Sequence, residues 1–191
     1  KEINIISQET AKNDIIRNRH IIDSAQIIDF IDLNSNTTTD LGSGGGMPGI
    51  VVAIILKNMK NSMNVHLYEK SYHKSHFLEE VSEKLNLNTK IFQKNIFEIK
   101  NLETGTIMSR AFKPMPVVLD LVYENFSKYK NLIFFMGKSG KKIFEKSKND
   151  WDLECIEKKS LTNEDSFLLN IKKISKKNKK RYIVDKKNGE N

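Results

Sequence analysis

Apolar residues Ile15, Ile16, Ile22, Ala25, Ile28 and Ile31 recur at helical spacings, so the first thirty-odd residues read as one or two helices. Beyond them the period changes. Short β-type runs at 64–68, 89–92, 106–108 and 131–136 alternate with helical segments at 48–58, 71–86 and 114–128, and another short β-like run precedes the glycines at 42–46. This alternation predicts an α/β fold on a mostly parallel sheet. Two more strand-like runs, 152–157 and 166–171, follow a polar stretch at 139–150 with no long helix between them. They predict an antiparallel hairpin at one sheet edge. Local signals agree: Ser71 is an N-cap candidate ahead of the stripe Phe77, Leu78, Val81 and Leu85, and Pro48 suits a first helical turn.

A chain of 191 residues, 38% hydrophobic and 29% charged, fits one domain with a substantial core. The expected organisation is a helical extension over 1–35 packed on the main domain at 36–171, with a basic tail at 172–191. The charge is uneven. Of the net +8, +7 falls from Lys172 onward, where nine basic residues face Asp185 and Glu190. Such a tail predicts either salt-sensitive phosphate binding or a solvated, disordered end. Cys155, the single cysteine, allows no intrachain disulfide and no multi-cysteine metal site, so a metal-free protein of the reducing cytoplasm is expected. The longest apolar run, 50–56, is far short of the roughly 20 residues that span a membrane, and the N-terminus has no signal-peptide pattern.

Thr39-Asp40-Leu41-Gly42-Ser43-Gly44-Gly45-Gly46-Met47-Pro48-Gly49 is the most informative segment. Glycines at the carboxyl end of a first strand let backbone approach a ligand in the crevice of an open α/β sheet. A dinucleotide pattern is present at Gly44, Gly46 and Gly49, with Glu69 twenty residues beyond Gly49. Asp40 argues against it, because a carboxylate there would repel a pyrophosphate. S-adenosylmethionine instead presents an ammonium and a sulfonium, which attract a carboxylate. Glu69 would accept hydrogen bonds from the ribose hydroxyls of either cofactor. An NAD-dependent oxidoreductase is therefore the rival enzyme reading, and an rRNA-binding or assembly protein the non-enzyme one.

If the domain transfers methyl groups, missing motifs narrow the acceptor. Amino-nitrogen methylation uses an Asn/Asp-Pro-Pro-aromatic loop after the fourth strand, where this chain reads Ser109-Arg110-Ala111-Phe112-Lys113-Pro114. Pyrimidine C5 methylation needs a cysteine nucleophile beside the cofactor, and Cys155 lies in a late strand-like run. A ring nitrogen such as guanine N7 has a free lone pair and loses no proton on alkylation. It needs alignment rather than a general base.

Across 3–173 the chain resembles the bacterial small-subunit rRNA guanine-N7 methyltransferases, also called glucose-inhibited division protein B. The resemblance rests on Asn4-Ile5-Ile6-Ser7, Arg19-His20-Ile21-Ile22-Asp23-Ser24, the Asp40 to Gly49 loop, the Glu69 segment through Phe77-Leu78, and Ser109-Arg110-Ala111-Phe112. It implies a class I, Rossmann-like methyltransferase with N-terminal helices, acting as a monomer on 16S rRNA or the small ribosomal subunit. It also implies that Asp40, Gly42, Ser43, Gly44, Gly46, Glu69 and the backbone at Ile96 and Phe97 bind S-adenosylmethionine. Arg110 would be the catalytic group facing the guanine or its phosphate, with Arg19 and His20 closing the cleft. Where the family has Lys-Gly after the fifth strand, this chain has Met136-Gly137-Lys138, which makes Lys138 the substitute substrate contact. His73-Lys74 and Ser166-Phe167 also depart from the family pattern.

Overall fold

The computed structural model describes residues 20–177. Among the described residues the main elements are β1 Thr37–Leu41, α1 Gly49–Asn58, β2 Asn64–Tyr68, α2 Tyr72–Lys84, β3 Thr89–Phe92, β4 Leu102–Glu103, β5 Thr106–Ser109, α3 Met115–Asn125, β6 Phe126–Lys128, β7 Asn131–Met136, α4 Gly140–Ser147, β8 Trp151–Lys159 and β9 Phe167–Lys176. Seven strands form one sheet in the order β3-β2-β1-β5-β7-β9-β8, while β4 and β6 pair separately. The sheet is parallel from β3 to β7, and β9 runs antiparallel to both β7 and β8. Chain order reverses between β1 and β5. In an open α/β sheet, that switch point is where the carboxyl ends of the strands leave a crevice.

Side chains alternate between two cores. Val65 and Leu67 of β2, Met108 of β5 and Ile133 of β7 pack with α1, Leu78 of α2, and Ile27 and Ile31 of the N-terminal segment. Ile107 of β5, with Leu132, Phe134 and Met136 of β7, packs against α3, Phe144 of α4 and Trp151 of β8. A central strand covered on both faces has no polar side to show, which explains the unbroken apolar run Leu132 to Met136.

Two expectations are corrected. The segment 114–128 is not one helix: α3 ends at Asn125 and the chain continues as β6, with Phe126 buried and paired to Leu102. A two-residue partner strand has no period to detect. The described part of the N-terminal extension is helical at 20–25, where a π turn at 20–22 leads into Asp23–Ala25, and again at the 3₁₀ turn Ile28–Phe30, with Ile27 and Ile31 buried; Ile15 and Ile16 lie outside the described residues. The basic tail does not begin at Lys172. That residue lies within β9 and hydrogen-bonds Asn131, Lys176 pairs with Asp120 at 2.9 Å, and Lys177 pairs with Asp152 at 3.5 Å. The rest of the tail, like Arg19 and Asn4 to Ser7, lies outside the described residues.

Candidate active site

A cleft of about 610 Å³ opens at the switch point. Its floor is the loop after β1, its walls are the segments after β2, β3 and β5, and His20 of the N-terminal segment closes it. The glycine loop is held by main-chain bonds, with Ser43 N–H donating to the Tyr68 carbonyl at 3.0 Å and Gly46 N–H to the Ser43 carbonyl at 2.7 Å. Gly42 and Gly46 have φ of +68° and +89°. A Cβ would lie 2.1 Å from Phe112 Cδ2 at Gly42 and 2.5 Å from Ile50 Cγ1 at Gly46. Only glycine serves there.

Glu69 follows the last residue of β2 and is 9% exposed, at the cleft wall. One oxygen accepts from Gly44 N–H at 3.0 Å and the other from Ser71 N–H at 2.8 Å. It thus ties the glycine loop to the turn that starts α2. A carboxylate offers about four lone-pair sites, so two remain for ligand hydroxyls. Ile96 and Phe97 form the opposite wall on a 3₁₀ turn, Ile96–Glu98, capped by the Asn95 side chain. Tyr68 stacks on Phe92 at 4.6 Å and backs the same wall.

Asp40 is not a cleft residue. Its carboxylate is 1% exposed, behind the loop, and Oδ2 accepts from Gly49 N–H at 3.0 Å at the start of α1. Burial pushes its carboxyl up from the ordinary value to about 7, opposed by the Gly49 N–H, the Ser43 side chain and the charge of Arg110. Strand and helix approach so closely that a Cβ on Gly49 would stand 2.3 Å from Leu67 Cδ2 and 2.6 Å from Asp40 Oδ2. Asp40 therefore shapes the loop from behind, and the direct attraction to a cationic ligand expected from sequence is replaced by a helix-cap contact.

Arg110 lines the cleft but is already engaged. Its guanidinium pairs with Asp23 Oδ2 at 3.0 Å, donates to Ser24 Oγ at 2.9 Å and to the His20 carbonyl at 3.4 Å, and lies over the Phe135 ring at 5.2 Å. Its carboxylate partner is Asp23, and the pair straps the N-terminal segment across the cleft mouth. Ala111, next in the chain, has φ +49°, a conformation uncommon outside glycine, and it turns the backbone into the cleft. Lys138 is exposed and lines neither the cleft nor its neighbouring groove.

Sequence reasoning missed the basic rim. Lys70, Lys74, Lys94 and Lys113 line the cleft with Arg110, and Glu69 is the only carboxylate among the described lining residues. These lysines are scattered along the chain and form no run, so only the fold gathers them. A smaller groove of about 160 Å³ adjoins the cleft through Ala111 and Lys113; Met115, Phe134, Phe135, Met136, Gly137 and Ile143 line it. Among the described residues, no cluster of three His, Cys, Asp or Glu side chains could hold a metal ion, and no helix is long and apolar enough to cross a membrane.

The family model for rRNA small subunit methyltransferase G matches residues 1–178. A ribosomal RNA small subunit methyltransferase G of Pelagibacter ubique is 65% identical over 93% of this chain and 84% of its own length. One of Jannaschia sp. is 30% identical over 90% of this chain and 81% of its own. By fold the chain is similar to a SAM-dependent methyltransferase of Aquifex aeolicus, with TM-score 0.60 and 11% identity over 86% of this chain and 95% of that one. It is also similar to M. capricolum TrmK in complex with S-adenosyl-homocysteine, with TM-score 0.57 and 15% identity over 78% of this chain and 66% of that one. With its mostly parallel sheet, glycine-floored cleft and a sequence match over residues 1–178 in agreement, the chain belongs to the rRNA small subunit methyltransferase G family.

Proposed function

We propose that this enzyme, an S-adenosylmethionine-dependent rRNA methyltransferase by its family, methylates N7 of one guanine in the decoding-site loop of 16S rRNA, acting as a cytoplasmic monomer on the rRNA or small ribosomal subunit. The observation that carries this reading is the composition of the cleft. A glycine floor and one carboxylate, Glu69, face the Ile96–Phe97 wall, and every other charged lining residue except titratable His20 is a cation. S-adenosylmethionine, when bound, supplies a methyl group on a positively charged sulfur.

The residues present fit that cofactor. A Cβ on Gly44 would meet nothing nearer than the Gly42 carbonyl at 3.8 Å, so glycine there leaves open cleft beside the loop. The Glu69 carboxylate has capacity for the two ribose hydroxyls, and the Ile96 and Phe97 backbone, which lines the same cleft, would meet the adenine edge. The lysine rim favours phosphate, hence a polynucleotide, over a small cationic acceptor. Both Glu69 oxygens already accept loop N–H groups. That arrangement suits an acceptor which forms its new N–C bond from a lone pair and releases no proton. The groove beyond Ala111 and Lys113, flanked by Phe134 and Phe135, is of a size to admit a purine turned out of its stack.

Incubating the purified chain with labelled S-adenosylmethionine and small subunits from cells lacking this modification tests the reading. Label at N7 of a single guanine in the decoding-site loop is the expected result. Transfer to another atom or another RNA, or no transfer, overturns it.

A further inference from the structure

Asn125, the last residue of α3, is 2% exposed and points its amide away from its own helix. Its Nδ2 donates to the carbonyls of Ile96, Phe97 and Ile99 at 3.3, 3.1 and 2.6 Å. Its Oδ1 accepts from Lys100 Nζ at 2.8 Å, which turns the NH₂ group toward the carbonyls. Two N–H groups are thus shared among three carbonyls of one short turn, whose internal main-chain bonds are few: Glu98 N–H to Asn95 at 3.1 Å and Ile99 N–H to Ile96 at 3.2 Å. The turn belongs to no strand. Its shape depends on a side chain reaching across from another element, because carbonyls buried without a donor are costly.

We propose that Asn125 is a positioning residue that clasps the Ile96–Glu98 turn and thereby sets both the affinity for the adenosine end of the cofactor and the discrimination of adenine from other purines. The proposal rests on the cofactor reading above and extends it to a residue outside the cleft. Adenine offers a 6-amino donor and an N1 acceptor, whereas hypoxanthine offers a 6-oxo acceptor and an N1–H donor. Backbone groups of a turn distinguish the two only while the turn is held in register. Asn125→Leu keeps similar bulk and removes every donor, and Lys100→Leu, at a half-exposed position, removes the cation that orients the amide together with its 3.9 Å surface pair to Glu124.

Calorimetric titration of the full chain with S-adenosylhomocysteine and with S-inosylhomocysteine is the test. For Asn125→Leu, the dissociation constant for S-adenosylhomocysteine rises about tenfold and the preference over the inosyl analogue falls at least fivefold. KM for S-adenosylmethionine rises in parallel, while kcat at saturating cofactor stays within about twofold. Lys100→Leu shows a smaller fall in the same ratio, and it carries the test alone if Asn125→Leu does not fold. An unchanged ratio in a folded Asn125→Leu, or in Lys100→Leu when it stands alone, overturns the clasp. Failure of the wild-type chain to bind S-adenosylhomocysteine overturns the cofactor reading together with it.

Discussion

Arg110 and Asp23, 87 positions apart in sequence, form a 3.0 Å ion pair in which each side chain is 16% exposed, and this pair joins the end of β5 to the N-terminal segment at the cleft mouth. Removing one partner strands the other charge in a poorly solvated place. Arg110→Ala and Asp23→Ala are each expected to destabilise the fold by about 3 kcal/mol. The double variant should lose less than the sum, because the two changes break one interaction. Denaturant unfolding measures the cycle. Both single variants should also slow methyl transfer at least tenfold, with S-adenosylhomocysteine affinity within threefold of wild type. Additive losses would show that the pair does not couple.

Glu69 joins the glycine loop to the start of α2 and also lines the cleft proposed to hold the cofactor. Glu69→Ala frees the N–H groups of Gly44 and Ser71 and removes the acceptor for ligand hydroxyls. The dissociation constant for S-adenosylhomocysteine should rise roughly 10–100-fold, or about 1.4–2.8 kcal/mol. Titration calorimetry reads this directly.

Asp40 has a folded-state carboxyl raised by burial to about 7 from an ordinary 3.8. Between those values the folded chain holds a proton that the unfolded chain has released, so the contribution of Asp40 to stability falls as pH rises from about 4 to about 7 and is level above. Asp40→Asn keeps an acceptor for Gly49 N–H and cannot ionise. Its unfolding free energy, measured in steps across that window, should decline less steeply with pH than that of wild type.

Gly137 borders the groove next to the cleft, and a Cβ there would meet nothing within 4 Å. Gly137→Leu should therefore fold normally while filling the groove proposed to receive the incoming base. The expected result is at least a tenfold fall in kcat/KM for the RNA substrate with unchanged S-adenosylhomocysteine binding. Steady-state assays with varied RNA at saturating cofactor check it.

Lysines of the basic segment differ in what they do. Lys172 and Lys176 belong to β9 and bond Asn131 and Asp120, so truncation at Lys172 would remove sheet as well as charge. Truncation after Lys177 isolates the charge. At near-neutral pH it should leave Tm within a few degrees of wild type, raise KM for RNA most at low salt and make KM less dependent on salt.

The α/β class, the glycine loop, the edge hairpin and Glu69 were legible in the sequence because each has a local signature: hydrophobic period, clustered glycines, an acid at a strand end. A local contact also explains Gly46, whose Cβ would meet Ile50 four residues on, whereas Gly49 is required by the close approach of α1 to Asp40 and Leu67 in the sheet. The tertiary structure alone decided what depends on distant partners. Asp40 and Arg110 read from sequence as groups facing a ligand, yet folding sets one against the N-terminus of α1 and the other against Asp23. β4 and β6 are too short to show a period, and the lysine rim and the Asn125 clasp join residues from separate elements. Composition and spacing determine which elements form, whereas the partner of a charge or an amide is whatever the sheet's crossovers bring within about 3 Å of it.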